Sequence, residues 1–159
     1  MQQLYEAILG KKNRIYYQTK FYQFDQKGEG MLVSWNWSAF FFSGIWALYR
    51  KMYGWFFLFL GLSIISNILE KSGASDLSAI ILGIPAVLFA IFSNSLYHKK
   101  IVKKITKAKN EIDDEDKLLE FLKYKGGVNT WVILVCNAML VISIIGIIAA
   151  ILVPMFAGK

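Results

Sequence analysis

Three runs without a charged residue, 52–69, 77–97 and 128–157, limit what this chain can become more than any other feature. A helix rises about 1.5 Å per residue and needs roughly 20 apolar residues to cross the hydrocarbon of a bilayer, so each run is near or above spanning length. A soluble core can bury one such helix, but three exceed it. Of the 159 residues, 56% are hydrophobic, 16% aromatic and only 18% charged, well away from an average soluble domain. The predicted fold class is an all-α integral membrane protein with three transmembrane helices.

Basic residues set the orientation, because lysine-rich loops stay in the cytoplasm. The loop 98–127 carries Lys99, Lys100, Lys103, Lys104, Lys107, Lys109, Lys117, Lys123 and Lys125, whereas 70–76 has only Lys71 and the carboxyl end only Lys159. Residues 98–127 are therefore predicted to be cytoplasmic. Their second half starts with Glu111, Asp113, Asp114, Glu115 and Asp116 and ends with Lys123, Lys125 and Gly126, the start and stop signals of a helix, so a helical hairpin is expected. The amino-terminal segment 1–32, with Lys11, Lys12, Arg14, Lys20 and Lys27, shares that side only if the next segment does not span. As a helix, 33–48 reaches only about 24 Å. An interfacial or re-entrant helix is predicted over 33–50, an ordinary fourth span being the alternative.

The stretch "SWNWSAFFFSGIWALYRKMYGW" holds four of the five tryptophans. Trp35, Trp37, Trp46, Tyr49, Tyr53 and Trp55 have amphipathic rings suited to head-group depth, with Phe40, Phe41 and Phe42 deeper. Arg50 and Lys51 are expected to reach anionic head groups, and on a helix Asn36, Ser43 and Arg50 fall on one stripe. Upstream, Tyr16, Tyr17, Phe21, Tyr22 and Phe24 beside basic residues are read as lipid contacts. No nucleic-acid motif accompanies them, so nucleic acid is not expected as a partner. Lys99, Lys100, Lys103 and Lys104 are the predicted anionic-lipid or partner contacts. The amino end has no apolar stretch of signal-peptide length and is expected to be retained.

The spanning runs contain Ser63, Ser66, Asn67, Ser93, Asn94, Asn137 and Ser143 but no acid or base for proton transfer. His98 is the single histidine, which excludes a metal site built from histidines, and a structural or interfacial role is expected for it. There is no glycine-rich phosphate loop, and the lone Cys136 allows no internal disulfide. No catalytic, cofactor or metal residue is assigned, and the chain is read as non-enzymatic. Gly146, Ala149 and Ala150 form a small-residue face for close helix packing, and Pro154 is expected to kink or end its helix. The partners that follow are membrane lipid and another membrane protein or a second copy.

Two resemblances add to this. The segments "YYQTKFYQFD", "SWNWSAFFF", "WALYRKMYGW" and "NSLYHKKIVKKI" resemble the bacterial small-membrane-protein family known as domain of unknown function 2628, over about 16–127. That resemblance implies a bacterial membrane location and brings no activity. The run "MLVISIIGIIAAILVPMF", 139–156, is similar to the hydrophobic helix of type IV pilins and pseudopilins. Asn137 stands where pilins have glutamate and no cleavage signal precedes it, so a fibre subunit is not expected. Either the helix mimics a pilin in a pilus-type assembly or it is a convergent span. The expected function is a bacterial inner-membrane accessory or scaffold protein, with an oligomeric transport or channel component as the second reading.

Overall fold

The computed structural model describes residues 1–28 and 30–157, with side chains as far as Val153. Its helices are α1 (Gln2–Leu9), α2 (Arg14–Lys27), α3 (Trp37–Tyr49), α4 (Tyr53–Lys71), α5 (Ser75–Glu111), α6 (Glu115–Lys125) and α7 (Thr130–Ala157), and no strand occurs among the described residues. Three of them, α4, α5 and α7, are long and apolar enough to cross a membrane. The chain forms two compact units, Met1–Val128 and Asn129–Lys159.

In the first unit α3, α4 and α5 pack on one another, α1 lies on α6 and α2, and α2 lies on α5. The centre of the α3–α4–α5 contact is aromatic: the rings of Trp46 and Phe59 meet the Phe89 ring edge-on at 5.6 and 5.0 Å. Only 11% of the apolar window of α4 and 17% of that of α5 is buried, so both helices keep apolar side chains on their outer sides.

Helix α5 does not stop where its apolar run does. It continues through Pro85 and past Tyr97 to Glu111 as one helix of 37 residues, about 55 Å long. The expected hairpin is thus the end of α5, a short link and α6. Asp114 caps α6, its Oδ1 accepting the Lys117 N–H at 3.0 Å. The apolar face of α6, Leu118 and Leu122, is covered by Leu4, Ile8 and Leu9 of α1. Asparagine-free and short, α1 ends at Gly10, where φ is +67°, and the Ile8 carbonyl accepts the Gly127 N–H at 2.8 Å.

Residues 31–36 are extended and alternate. Ser34 and Asn36 point inward, Val33 and Trp35 outward. Their backbone donors use α5: Ser34 N–H bonds the Ile91 carbonyl at 2.9 Å, Asn36 N–H the Ala90 carbonyl at 3.0 Å, and Leu32 N–H the Ser95 hydroxyl at 3.1 Å. An extended strip beside an apolar helix needs such partners for every buried donor. Asn36 then caps α3, Oδ1 accepting Ala39 N–H at 3.0 Å while Nδ2 donates to Asn94 Oδ1 at 2.9 Å.

The expected polar stripe of Asn36, Ser43 and Arg50 is corrected by this geometry, because the three residues mark breaks in α3 rather than one face of it. Asn36 is the N-cap, Ser43 has non-helical angles (φ 20°, ψ −93°) that split the helix, and Arg50 is the C-cap. The end is a Schellman turn: Met52 N–H bonds the Ala47 carbonyl and Lys51 N–H the Leu48 carbonyl, with Lys51 at φ 58°. Along α5, the start of α3 lies beside Ala90 and Asn94, its bend borders the same groove as Ala79, Leu82 and Gly83, and its end lies beside Lys100.

In the second unit, α7 exposes apolar side chains around its circumference, among them Leu134, Met139, Ile142 and Ile145. It runs on past Pro154 to Ala157; Lys159 lies outside the described residues.

Candidate functional site

Arg50 differs most from its sequence reading. Its side chain is not at the surface: the residue is 2% exposed, with the guanidinium carbon 4.2 Å from the Tyr17 ring centroid, 5.3 Å from Tyr49 and 5.4 Å from Tyr97. Nε and Nη1 have no hydrogen-bond partner, and no carboxylate pairs with the group among the described residues. A planar, weakly hydrated cation tolerates this better than an ammonium would, because ring faces supply negative potential. Burial pushes the Tyr17 hydroxyl above its ordinary range against the pull of Arg50, so the ring stays neutral. This corrects two expectations together. Arg50 does not reach head groups, and Tyr17, with Phe21 and Phe24, is buried within the unit instead of facing lipid.

The four lysines expected to act together divide between two faces of α5. Lys100 turns inward, donating to the Arg50 carbonyl at 2.9 Å and to the Lys51 carbonyl, where the exposed end of the α3 dipole favours a cation. Lys51 in turn donates to the Gly126 carbonyl. Lys104 is exposed near them, whereas Lys99 and Lys103 lie on the face carrying Ser95, His98 and Val102. Spacings of three and four residues along a helix produce that grouping.

On this second face stands a cluster that sequence reasoning missed. His98 Nε2 lies 2.8 Å from Asp25 Oδ1 and 3.1 Å from the Tyr5 hydroxyl, which donates to Asp25 at 3.0 and 3.1 Å. A carboxylate accepts from both groups, so the proton of His98 belongs on Nε2. Burial first, then the hydrogen bond and charge of Asp25, push the Tyr5 hydroxyl above its ordinary range and keep it a donor. The His98 side chain is 14% exposed and that of Asp25 37%, so the carboxylate still opens outward. It opens into a cavity of about 600 Å³ with Phe24, Leu32 and Val102 as apolar wall and Lys99 and Lys103 on the α5 side. The only sequence signal for this site was a lone histidine at the end of an apolar run; nothing local ties residues 5, 25 and 98 together. Ser95 shares the cavity, but its hydroxyl accepts the Leu32 N–H and makes no bond to His98, so no base-activated nucleophile is assembled.

The profile of the family described as protein of unknown function (DUF2628) matches residues 10–103, more than half of the chain. The chain belongs to this family. No curated protein and no solved structure matches it. The DUF2628 match takes in α2, α3, α4 and α5 as far as Lys103, hence Asp25, Arg50, Asn94 and His98, and leaves out Tyr5, α6 and the pilin-like α7.

The remaining predicted residues of this DUF2628 chain are placed as follows. Trp35, Trp37 and Tyr53 are exposed. Tyr49, Lys51 and Trp55 are half-buried, and Trp46 is buried at 5% exposure against Phe89, a core position and no interface. Gly146, Ala149 and Ala150 are exposed on α7. Among the described residues no group of three or more His, Cys, Asp or Glu is placed to hold a metal ion.

Proposed function

We propose that the protein is a non-enzymatic accessory or scaffold protein of the bacterial cytoplasmic membrane that associates with anionic lipid and with another membrane protein or a second copy. The observation that carries this reading is α5, one helix whose apolar part ends at Tyr97 and whose continuation presents exposed Lys99, Lys103 and Lys104. Cations fixed where a spanning helix leaves hydrocarbon attract anionic head groups by about 1 kcal/mol each. The exposed aromatics Trp35, Trp37, Phe41 and Phe42 suit the same depth.

A re-entrant α3 is part of the proposal. It begins beside Ala90 and Asn94 in the later part of the apolar run of α5, bends at Ser43 beside Gly83 further back along that run and ends beside Lys100, so its two ends lie toward the same side and 1–32 and 98–127 share the cytoplasmic side. The packing of α1 on α6 supports the same placement. The exposed α7 is the surface offered to a membrane partner, pilus-type machinery included. The channel reading needs polar residues along a path; Ser66 and Ser78 bond each other at 2.7 Å and Asn94 is bonded within the unit, which leaves it exposed residues such as Asn67, Asn137 and Ser143.

Affinity purification in mild detergent, with mass spectrometry of protein and lipid, tests this reading. Enriched anionic lipid together with a stoichiometric membrane protein is expected. Purification with neither overturns it.

A further inference from the structure

The cavity between the Tyr5–Asp25–His98 cluster and the lysines is lined by charges of both signs, and that limits what fits. A simple anion drawn to Lys99 and Lys103 meets the Asp25 carboxylate, and a simple cation drawn to Asp25 shares the cavity with those two lysines and with Met1, which also line it. A ligand with both charges on one short frame satisfies both walls. Lys99 and Lys103 are four residues apart, one helical turn, so their ammonium groups can close on different oxygens of a single phosphate. Asp25, fixed from one side by His98 and Tyr5, presents its open side to a donor. About 600 Å³ is a usual small-ligand volume, more than a free phosphate needs. Phe24, Leu32 and Val102 supply an apolar wall for the adjoining carbon atoms.

We propose that this cavity binds a phosphoamine, a phosphodiester carrying a primary amine as in ethanolamine phospholipids, with its ammonium against Asp25 and its phosphate between Lys99 and Lys103. The proposal rests on the membrane reading above for its lipid source, since the cavity begins where the apolar run of α5 ends, at head-group depth. The same chemistry is carried by the soluble glycerophosphoethanolamine, and the test separates the two.

The full chain is placed in nanodiscs with equal parts of phosphatidylethanolamine, phosphatidylglycerol and phosphatidylcholine, and retained lipid is read by native mass spectrometry. The ethanolamine lipid is expected to be held about fivefold over either of the others, the factor one charge near a surface supplies. Asp25→Asn, which keeps an acceptor for Tyr5 and His98, should bring that ratio to about one. Lys99→Gln with Lys103→Gln, at exposed positions that leave the fold intact, should lower retention of the ethanolamine lipid roughly tenfold or more. Wild-type protein that holds the three lipids equally and binds no glycerophosphoethanolamine, or Asp25→Asn retaining the preference, overturns the proposal. Calorimetric titration with glycerophosphoethanolamine in detergent identifies the source: saturable binding assigns the soluble compound, and its absence beside lipid selectivity assigns the lipid. Vesicle flotation keeps the two proposals distinct. A chain that floats without selectivity and binds no glycerophosphoethanolamine retires the cavity and keeps the membrane reading; one that binds glycerophosphoethanolamine but does not float does the reverse.

Discussion

At the residue scale, adjacent positions on α5 make opposite demands. Asn94 donates from Nδ2 to the Tyr16 hydroxyl at 3.0 Å and the Ser34 hydroxyl at 3.1 Å, and accepts from Asn36. Asn94→Leu strands those buried groups and is expected to lower stability by about 2–3 kcal/mol. Ser93 is equally buried, but its hydroxyl has no partner, so Ser93→Ala should change stability by less than about 0.5 kcal/mol or raise it. Unfolding of the purified variants in detergent, followed by tryptophan fluorescence, measures both. Arg50 allows a comparison of a different kind. Arg50→Met removes ring contacts together with an uncompensated charge, whereas Arg50→Lys leaves a compact, strongly hydrated charge in the tyrosine box. Arg50→Lys should therefore be the less stable of the two by about 1 kcal/mol or more in the same assay.

At the element scale, the three helices long and apolar enough to cross a membrane were legible because hydrophobic length alone defines them. The existence of α6 was legible because acid-first, base-last order is local. The path of residues 31–36 was half-legible: "VSWNW" alternates with period two, an extended pattern, yet its aromatic density suggested a helix. Arg50 and the Tyr5–Asp25–His98 cluster could not be read, since their partners come from helices far apart in the chain and only packing brings them together. Gly126 shows how tightly two short elements can depend on one another. A Cβ there would stand 2.2 Å from the Ile8 carbonyl oxygen, so Gly126→Ala must push α1 away from α6. A cost of about 2–4 kcal/mol is expected, with hydrogen exchange faster in α1 and α6 and unchanged in α4.

At the scale of the whole molecule, the sidedness proposed for α3 is open to direct measurement. On a background with Cys136→Ser, cysteines at Lys11 and Lys107 should both resist a membrane-impermeant reagent applied from outside, while one at Ser75 should label. Labelling of position 11 as well as 75, with 107 still protected, would make α3 a fourth span. For α7, Gly146→Leu with Ala150→Leu keeps the helix apolar but enlarges one face, so insertion should persist while crosslinks to a neighbouring helix fall. Unchanged crosslinks would make that face lipid-exposed. The strip 31–36 also carries a consequence for synthesis. Its inward donors bond Ala90, Ile91, Asn94 and Ser95, and the Asn36–Asn94 bond joins residues 58 apart. While the ribosome is still making α4, those donors have no acceptor in hydrocarbon and must stay hydrated. The aromatic helix α3, made before α4 and α5, is then among the last to seat, because its cap waits until α5 has emerged and can receive it.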